Sequence, residues 1–316
     1  MADVFDGTQL VIFDAVARHA SMSQAARELD YTQPAVSHAI RRLERYAGTP
    51  LLTRGARGVA LTEAGERLAA HAQVVLTVMR AARRELDELA TAATGRVRLA
   101  AFPSAAAMIV PTLLSRVHAR RPGLDVELVH AEPDEALRMV TNGDADIAMA
   151  FAYPDEAPSP GIRMRALFDD PVHAVVPASE ATDPPFDLAC LRGRRWIAGC
   201  PRCRTHLVDV CQRHGFAPRI VHATDDYVAA QAMVAAGLGV TLLPALALAA
   251  YRHPDVVVHD LEPRSSRKVS ACTVDTDPLP PAVGLVLGEL TTLGAPIGVR
   301  ADRDGRFAPQ AGAERR

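Results

Sequence analysis

Aromatic side chains are scarce in this 316-residue sequence. Phe, Trp and Tyr together make up 4%, so the cores have to be built from Leu, Val, Ile and Ala. Lysine is almost missing: Lys268 stands alone, and the rest of the 35 Lys and Arg residues are arginine. With alanine abundant, this is the signature of GC-rich codon usage, so an arginine is not by itself a reader of phosphate or bases. There is no excess of either charge, 35 basic against 37 acidic residues. A nucleic-acid partner is therefore not announced globally, although a local basic patch would suffice. Long apolar runs are lacking too. No stretch reaches the ~20 residues of a membrane span, and the richest, Val234 to Ala250, is interrupted by Gly237, Gly239 and Pro244 and reads as buried α/β core. Met1 to Asp6 has no basic region followed by an apolar run, so no secretory signal is expected. Five cysteines, an odd number, fit a reduced, cytoplasmic protein. The sequence contains no Gly-x-Ser-x-Gly elbow, no phosphate-binding Gly-x-x-x-x-Gly-Lys loop and no His-Glu-x-x-His. Gly237-Leu238-Gly239 lacks the third glycine of a dinucleotide fingerprint and precedes a strand instead of following one. No enzyme, catalytic residue or cofactor is expected.

What is present is periodicity. Length predicts more than one folded unit, and 49% hydrophobic with 23% charged residues is ordinary for packed protein. Leu10, Phe13, Val16 and Ala17 recur at helical spacing in a first helix ending near His19-Ala20. Ser21 and Ser23 offer capping hydroxyls to a short second helix, Gln24 to Leu29, whose Ala25-Ala26 pair permits close packing. After the turn Asp30-Tyr31-Thr32, Thr32 caps a third helix with Gln33 and Pro34 in its first turn, running through Val36, Ile40 and Leu43 to Gly48. Leu51-Leu52 and Val59 to Leu61 read as short strands around a glycine-rich tip. Three helices and a hairpin make a winged helix-turn-helix over residues 1–62.

Residues 63–91 predict one long helix, with Thr62 as cap and Glu63 and Glu66 at its positive end. Leu68, Ala72, Val75, Met79, Ala82, Leu86 and Leu89 follow at spacings of four and three. A helix packed along its own domain gives the same repeat. Its position between two domains favours a dimer seam of Leu68, Val75, Met79, Ala82 and Leu86. From Gly95 strands alternate with helices: strand 96–101, helix 105–120, strand 124–129, helix 133–141, strand 145–150, a βαβαβ run that predicts a parallel sheet. A second α/β unit begins near Pro171 with strand 172–176, then strand 195–198, helix 205–213, strand 219–222, helix 226–236 and strand 240–243. A late strand, 268–274, and a helix, 281–293, return to the first unit. The expected sensor domain is 92–298, with one lobe from about 95–170 and 267–298 and another from about 171–266. Residues 299–316 are charged and aperiodic and read as a disordered tail. Strand ends converge on an interlobe cleft at Phe102-Pro103-Ser104, His130-Ala131-Glu132, Phe151, Gly199-Cys200-Pro201 and Thr224-Asp225.

The run Ser21, Ala25-Ala26, Leu29, Gln33-Pro34-Ala35-Val36-Ser37, Ile40, Leu43-Glu44, Gly48, Leu51-Leu52, Arg54, Leu61-Thr62 and Gly65 resembles the LysR-type transcriptional regulators. So do Gly143-Asp144-Ala145-Asp146-Ile147-Ala148 and Val234 to Val240 with Leu243-Pro244, and the resemblance extends over about residues 8–296. Leu52 stands where that family usually has phenylalanine. The resemblance implies an α/β protein overall, with an N-terminal winged helix-turn-helix, a long linker helix and a C-terminal two-lobed, periplasmic-binding-protein-like sensor. It also implies promoter DNA and a small-molecule effector as partners, a dimer formed through the linker helix, a tetramer of two dimers that bends DNA, and RNA polymerase as a further partner. A free-standing solute-binding protein, the rival reading of the sensor half, is not compatible with the helix-turn-helix. For DNA contact, Gln33 offers a bidentate amide to adenine and Pro34 an apolar contact to thymine. Ser37, His38 and Arg41 extend that face, and Ser23 is placed for a phosphate or for capping. Arg54 and Arg57 belong to the wing, where guanidinium enters a narrow minor groove. Between residues 31 and 60, Arg41, Arg42, Arg45, Arg54 and Arg57 stand against Glu44 alone.

In the sensor, the family's first strand leads into a helix N-terminus that often holds an anion, which gives Ser104 that role. The effector set is Phe102, Ser104, His130, Phe151, Cys200, Pro201, Thr205 and Thr224. Cys200-Pro201-Arg202-Cys203-Arg204-Thr205-His206, with Cys190, Cys211 and His214 nearby, is read as structural or ligand-lining, with no metal site assigned. A thiol-redox or metal-responsive regulator built on Cys200 and Cys203 is the alternative.

Overall fold

The computed structural model describes residues 5–55, 58–91, 95–154, 161–180 and 186–294. The wing tip with Arg57, and the tail after residue 294, lie outside the described residues, as does the side chain of Arg54.

The N-terminal unit comprises α1 (Gly7–His19), α2 (Met22–Glu28), α3 (Gln33–Ala47), β1 (Leu52–Gly55) and β2 (Gly58–Leu61). Each helix starts at a side-chain cap: Asp6 accepts from the Thr8 N–H, Ser21 from Gln24 and Thr32 from Ala35. Ser21, not Ser23, is thus the cap of α2, which starts two residues earlier than the sequence implied. Phe13, Val16, Ala25, Val36, Ile40 and Leu43 are buried and form one core with Leu51. The hairpin is tied on by backbone: Glu44 Oε1 accepts from the N–H groups of Leu51 and Leu52 at 2.9 and 3.2 Å. Gly65 is required where the next helix crosses this hairpin, because a Cβ there would lie 2.1 Å from the Leu51 carbonyl oxygen.

Helix α4 (Glu63–Thr91) begins with the Thr62 hydroxyl accepting from the Gly65 N–H at 3.0 Å. Its first half covers α1: Ala72 and Leu76 are buried with Leu10, and Leu68 packs partly buried beside them. Leu68 is thus already partly covered by its own chain, because α1 lies alongside this part of the longer helix. Away from that contact the stripe is uncovered, with Val75, Met79 and Leu86 43%, 52% and 63% exposed and Ala82 exposed as well. Thr77 Oγ1 and Arg80 Nη1 donate to the Thr141 carbonyl at 3.1 and 2.9 Å, anchoring α4 to the sensor domain.

The sensor follows as β3 (Arg96–Ala101), α5 (Pro103–Met108), α6 (Val110–Arg120), β4 (Asp125–His130), α7 (Pro133–Asn142), β5 (Ile147–Ala152) and β6 (Ile162–Pro177). It continues through β7 (Arg195–Ala198), α8 (Pro201–Arg213), β8 (Arg219–Ala223), α9 (Tyr227–Ala235), β9 (Thr241–Pro244), α10 (Ala245–Ala250), β10 (Val256–Val274) and α11 (Pro281–Leu293). The predicted parallel run is present: β3 pairs in parallel with both β4 and β5. One six-stranded sheet has the order β4-β3-β5-β10-β6-β9, and β7 pairs with β8 in a second, joined to it by a bridge between Trp196 and Val240. The strands expected at 172–176 and 268–274 are only the ends of β6 and β10. These two run 16 and 19 residues, paired antiparallel from Ile162↔Val274 to Pro177↔Val256, with a register shift between Asp260 and Ser265. Both lobes are therefore strung on the same pair of strands. The helix expected over 105–120 is broken at Ile109, ahead of Pro111, which cannot donate to the preceding turn.

Candidate functional site

The exposed face of α3 carries Gln33, Pro34, His38, Arg41, Arg42 and Arg45. Its first turn has no acidic residue, so the positive helix end is left for an anion. Arg41 and Arg45 rest their Nε groups on carbonyls one turn back, at Ser37 and Arg41. Ser37 itself is a correction to the expected face: it is 8% exposed, since its angular position borders the Val36 and Ile40 stripe. Ser23 is exposed in the first turn of α2. Glu44 spends its carboxylate on the wing backbone, which leaves the arginines of this face without a competing acid from α3. The sequence could not show that orientation.

The second site is the interlobe cleft, a space of about 510 Å³ partly open to solvent. It lies beyond the carboxyl ends of β3, β4, β7 and β8, where successive strand ends leave backbone and loop groups facing a common crevice. Phe102, Ser104, Phe151, Cys200 and Thr224 from the expected set line it. His130, Pro201 and Thr205 are not among its lining residues. His130 ends the edge strand β4 with its side chain exposed, Pro201 is exposed at the start of α8, and the Thr205 hydroxyl turns back to the Pro201 carbonyl at 3.2 Å.

Sequence reasoning missed the centre of the cleft, Arg267. Its side chain is 3% exposed and pairs with Asp170 at 2.8 Å. Its Nη2 also donates to the Ser104 hydroxyl at 2.9 Å, and the guanidinium lies 4.1 and 4.9 Å from the ring centroids of Phe151 and Phe102. Burial opposes its charge, but Asp170, Tyr153 and Cys203 outweigh that and hold its pKa above the usual value. Asp170 is further satisfied by the Leu246 N–H at 3.0 Å. Phe102 and Phe151 meet edge to face at 5.0 Å and form the apolar floor. Glu132 and Asp225 add carboxylates to the wall. Burial raises the Glu132 pKa, and that carboxyl lies beside the Cys200 thiol. Arg202 bridges the lobes, donating to Asp134 at 2.6 Å and to the Phe151 carbonyl at 3.1 Å.

The cysteine-rich segment separates. Cys200 and Cys203 have their sulfurs 3.1 Å apart at the cleft wall. Cys211 is buried in the hydrophobic core, where burial pushes its thiol up to about 12. His206 stacks on Tyr153 at 3.7 Å and meets the Ser265 hydroxyl at 2.7 Å. Among the described residues, no group of three or more His, Cys, Asp or Glu is placed to hold a metal ion. Among them, too, no helix is long and apolar enough to cross a membrane.

Known proteins match both sites. Residues 8–66 match the family model of bacterial regulatory helix-turn-helix proteins of the lysR family, and residues 90–294 match that of the LysR substrate binding domain. The chain is 34% identical over 253 residues to a probable hydrogen peroxide-inducible genes activator of Streptomyces viridosporus, covering 75% of this chain and 76% of that one. It is 33% identical over 238 residues to the transcriptional regulator CbbR of Rhodospirillum rubrum, covering 74% and 78%. The crystal structure of full-length CbnR with its target DNA superposes with a TM-score of 0.51 at 25% identity, covering 91% of this chain and 99% of that one.

Proposed function

The chain belongs to the LysR family of DNA-binding transcriptional regulators with an effector-binding domain, and from that premise we propose that it reads promoter DNA through α3 as a dimer or tetramer in the cytoplasm. The observation that carries the DNA reading is the acid-free, arginine-rich face of α3 with Gln33 and Pro34 exposed at its positive end. Gln33, Pro34, His38 and Arg41 are the contacts proposed, with Ser23, Arg54 and Arg57 meeting phosphate or the minor groove. Dimerisation is supported by the uncovered stripe Val75, Met79 and Leu86; two such dimers would offer RNA polymerase a bent promoter. No enzymatic activity is proposed.

The effector proposed is a compact molecule of low net charge. Arg267 already has its counter-charge in Asp170, and the wall adds Glu132 and Asp225, so a polyanion would meet net repulsion. The Ser104 and Thr224 hydroxyls supply polar contacts, and the two phenylalanines supply the apolar ones. The test is a footprint on the region upstream of the chain's own gene. An interrupted palindrome is expected to be protected, and Gln33→Ala is expected to weaken the best site by about 1–3 kcal/mol and to relax base preference there. Unchanged preference across an operator library would remove Gln33 as a reader, and absence of any footprint would remove the promoter assignment.

A further inference from the structure

Cys200 and Cys203 both line the effector cleft, and their mutual contact is a feature that effector binding alone does not require. Cys200 immediately precedes α8 and Pro201 fixes the first position, so a single turn brings Cys203 back to the same side. The Cys200 thiol donates to the Cys203 sulfur at 3.1 Å. Covalent closure at 2.03–2.05 Å asks for a movement of about 1 Å, within reach of side-chain torsions. Two cysteines three residues apart can line a helix without touching; these touch.

Their surroundings favour ionisation of one thiol. The Cys203 sulfur accepts from Cys200 and from the Tyr153 hydroxyl, the latter at 3.7 Å, with the buried guanidinium of Arg267 nearby. The Cys200 hydrogen bond foremost, and then Arg267 against the effect of burial, hold Cys203 below the ordinary thiol range. Cys200 is raised, first by that same hydrogen bond and then by burial. The Glu132 carboxyl lies next to the Cys200 thiol, and burial raises its pKa and so favours its carrying a proton. Both sulfurs face the solvent-connected cleft, whereas Cys211 and Cys272 are sealed in core clusters.

We propose that Cys200 and Cys203 are a redox-active dithiol within the cleft, which a hydroperoxide converts to an intramolecular disulfide. The Cys203 thiolate, its proton released to solvent, attacks the terminal oxygen of the hydroperoxide: an S–O bond forms, the O–O bond breaks, and the departing alkoxide takes a proton back from solvent and leaves as the alcohol, or as water from hydrogen peroxide. The sulfur loses two electrons and the peroxide gains them. Cys200 then passes its proton to Glu132 while its sulfur attacks the Cys203 sulfenic acid; the S–S bond forms, the S–O bond breaks, and the leaving hydroxide recovers the proton as water. A dithiol reductant restores both thiols by exchange. Closure removes the thiolate from beside Arg267 and reshapes the start of α8, from which Arg202 reaches Asp134 and Phe151 in the other lobe.

The experiment uses the full-length protein, reduced, desalted, exposed to equimolar hydrogen peroxide and blocked with N-ethylmaleimide. Chymotryptic cleavage after Trp196 and Leu207 yields one peptide with both thiols. That peptide is expected to be unalkylated, two hydrogens lighter, and alkylated twice after dithiothreitol. Cys200→Ser is expected to stop at a Cys203 sulfenic acid that dimedone traps, and Cys203→Ser to slow oxidation of this peptide by at least about tenfold. Recovery of both thiols alkylated, or a disulfide that pairs either of them with Cys211, overturns the proposal. A far-ultraviolet dichroism spectrum like that of the parent is the condition for reading each variant; if Cys203→Ser fails it, the Cys200→Ser trap and the peptide from the parent chain decide. The footprint of the reduced protein reports on DNA binding independently, so either reading can fail while the other stands.

Discussion

Arg267 is a buried charge whose partners come from three separate segments: Asp170 from β6, Ser104 from α5 and two aromatic faces. Breaking such a pair from one side costs more than the pair contributes, because the remaining charge is left without solvent or partner. Arg267→Met is therefore expected to lower stability in urea by about 3–5 kcal/mol, and Arg267→Met combined with Asp170→Leu to recover most of that loss. A single variant as stable as the parent would show that Asp170 finds water. His206 makes a second prediction. Burial first, and Arg213 second, push its pKa down to about 4 from 6.5, so the folded chain holds it neutral where the unfolded chain binds a proton. That stability is fully present above pH 6.5 and is lost as pH falls toward 4, a span worth about 3 kcal/mol. His173 and His259, also lowered by burial, act in the same direction. Unfolding midpoints measured from pH 4 to 7 should steepen accordingly and flatten in His206→Gln; an equal slope in both proteins would refute the assignment.

At the scale of elements, α4 has a covered face and an uncovered one. Met79→Asp with Leu86→Asp places charge on a stripe already facing solvent in a single chain. Sedimentation is expected to show monomer where the parent shows dimer or tetramer, with the monomer's fold retained; an unchanged assembly would move the interface elsewhere. Helices such as α3 and α7 were legible because a strong repeat coincides with a proline start and a glycine stop. The lengths of β6 and β10 were not, because Arg163, Arg165, Asp169 and Asp170, and then Asp260, Glu262 and Arg264, break the apolar alternation where the strands pass between lobes. Arg267 was hidden for the same reason. In sequence it sits in Arg264-Ser265-Ser266-Arg267-Lys268, which reads as solvated, and only a partner 97 residues away turns it inward. His130 failed as a cleft residue because an edge strand ends with one face to solvent, and sequence alternation does not say which.

At the scale of the molecule, cleft and DNA-reading face are joined by few and specific connections. Both lobes share β6 and β10, so closure has to twist these strands instead of pivoting on a flexible linker. The first lobe holds α4 at Thr77 and Arg80 through the last turn of α7, which starts beside the cleft residue Glu132. Seen as a mechanical linkage, that grip is a fulcrum. At 1.5 Å per residue the arm from Thr77 to the start of α4 is about 21 Å long, so a tilt of about 10° would sweep its far end by about 3.7 Å. The rise between successive bases along DNA is about 3.4 Å. With gearing of this ratio, a small angular change at the sensor would shift each reading head by about one rung of the double helix.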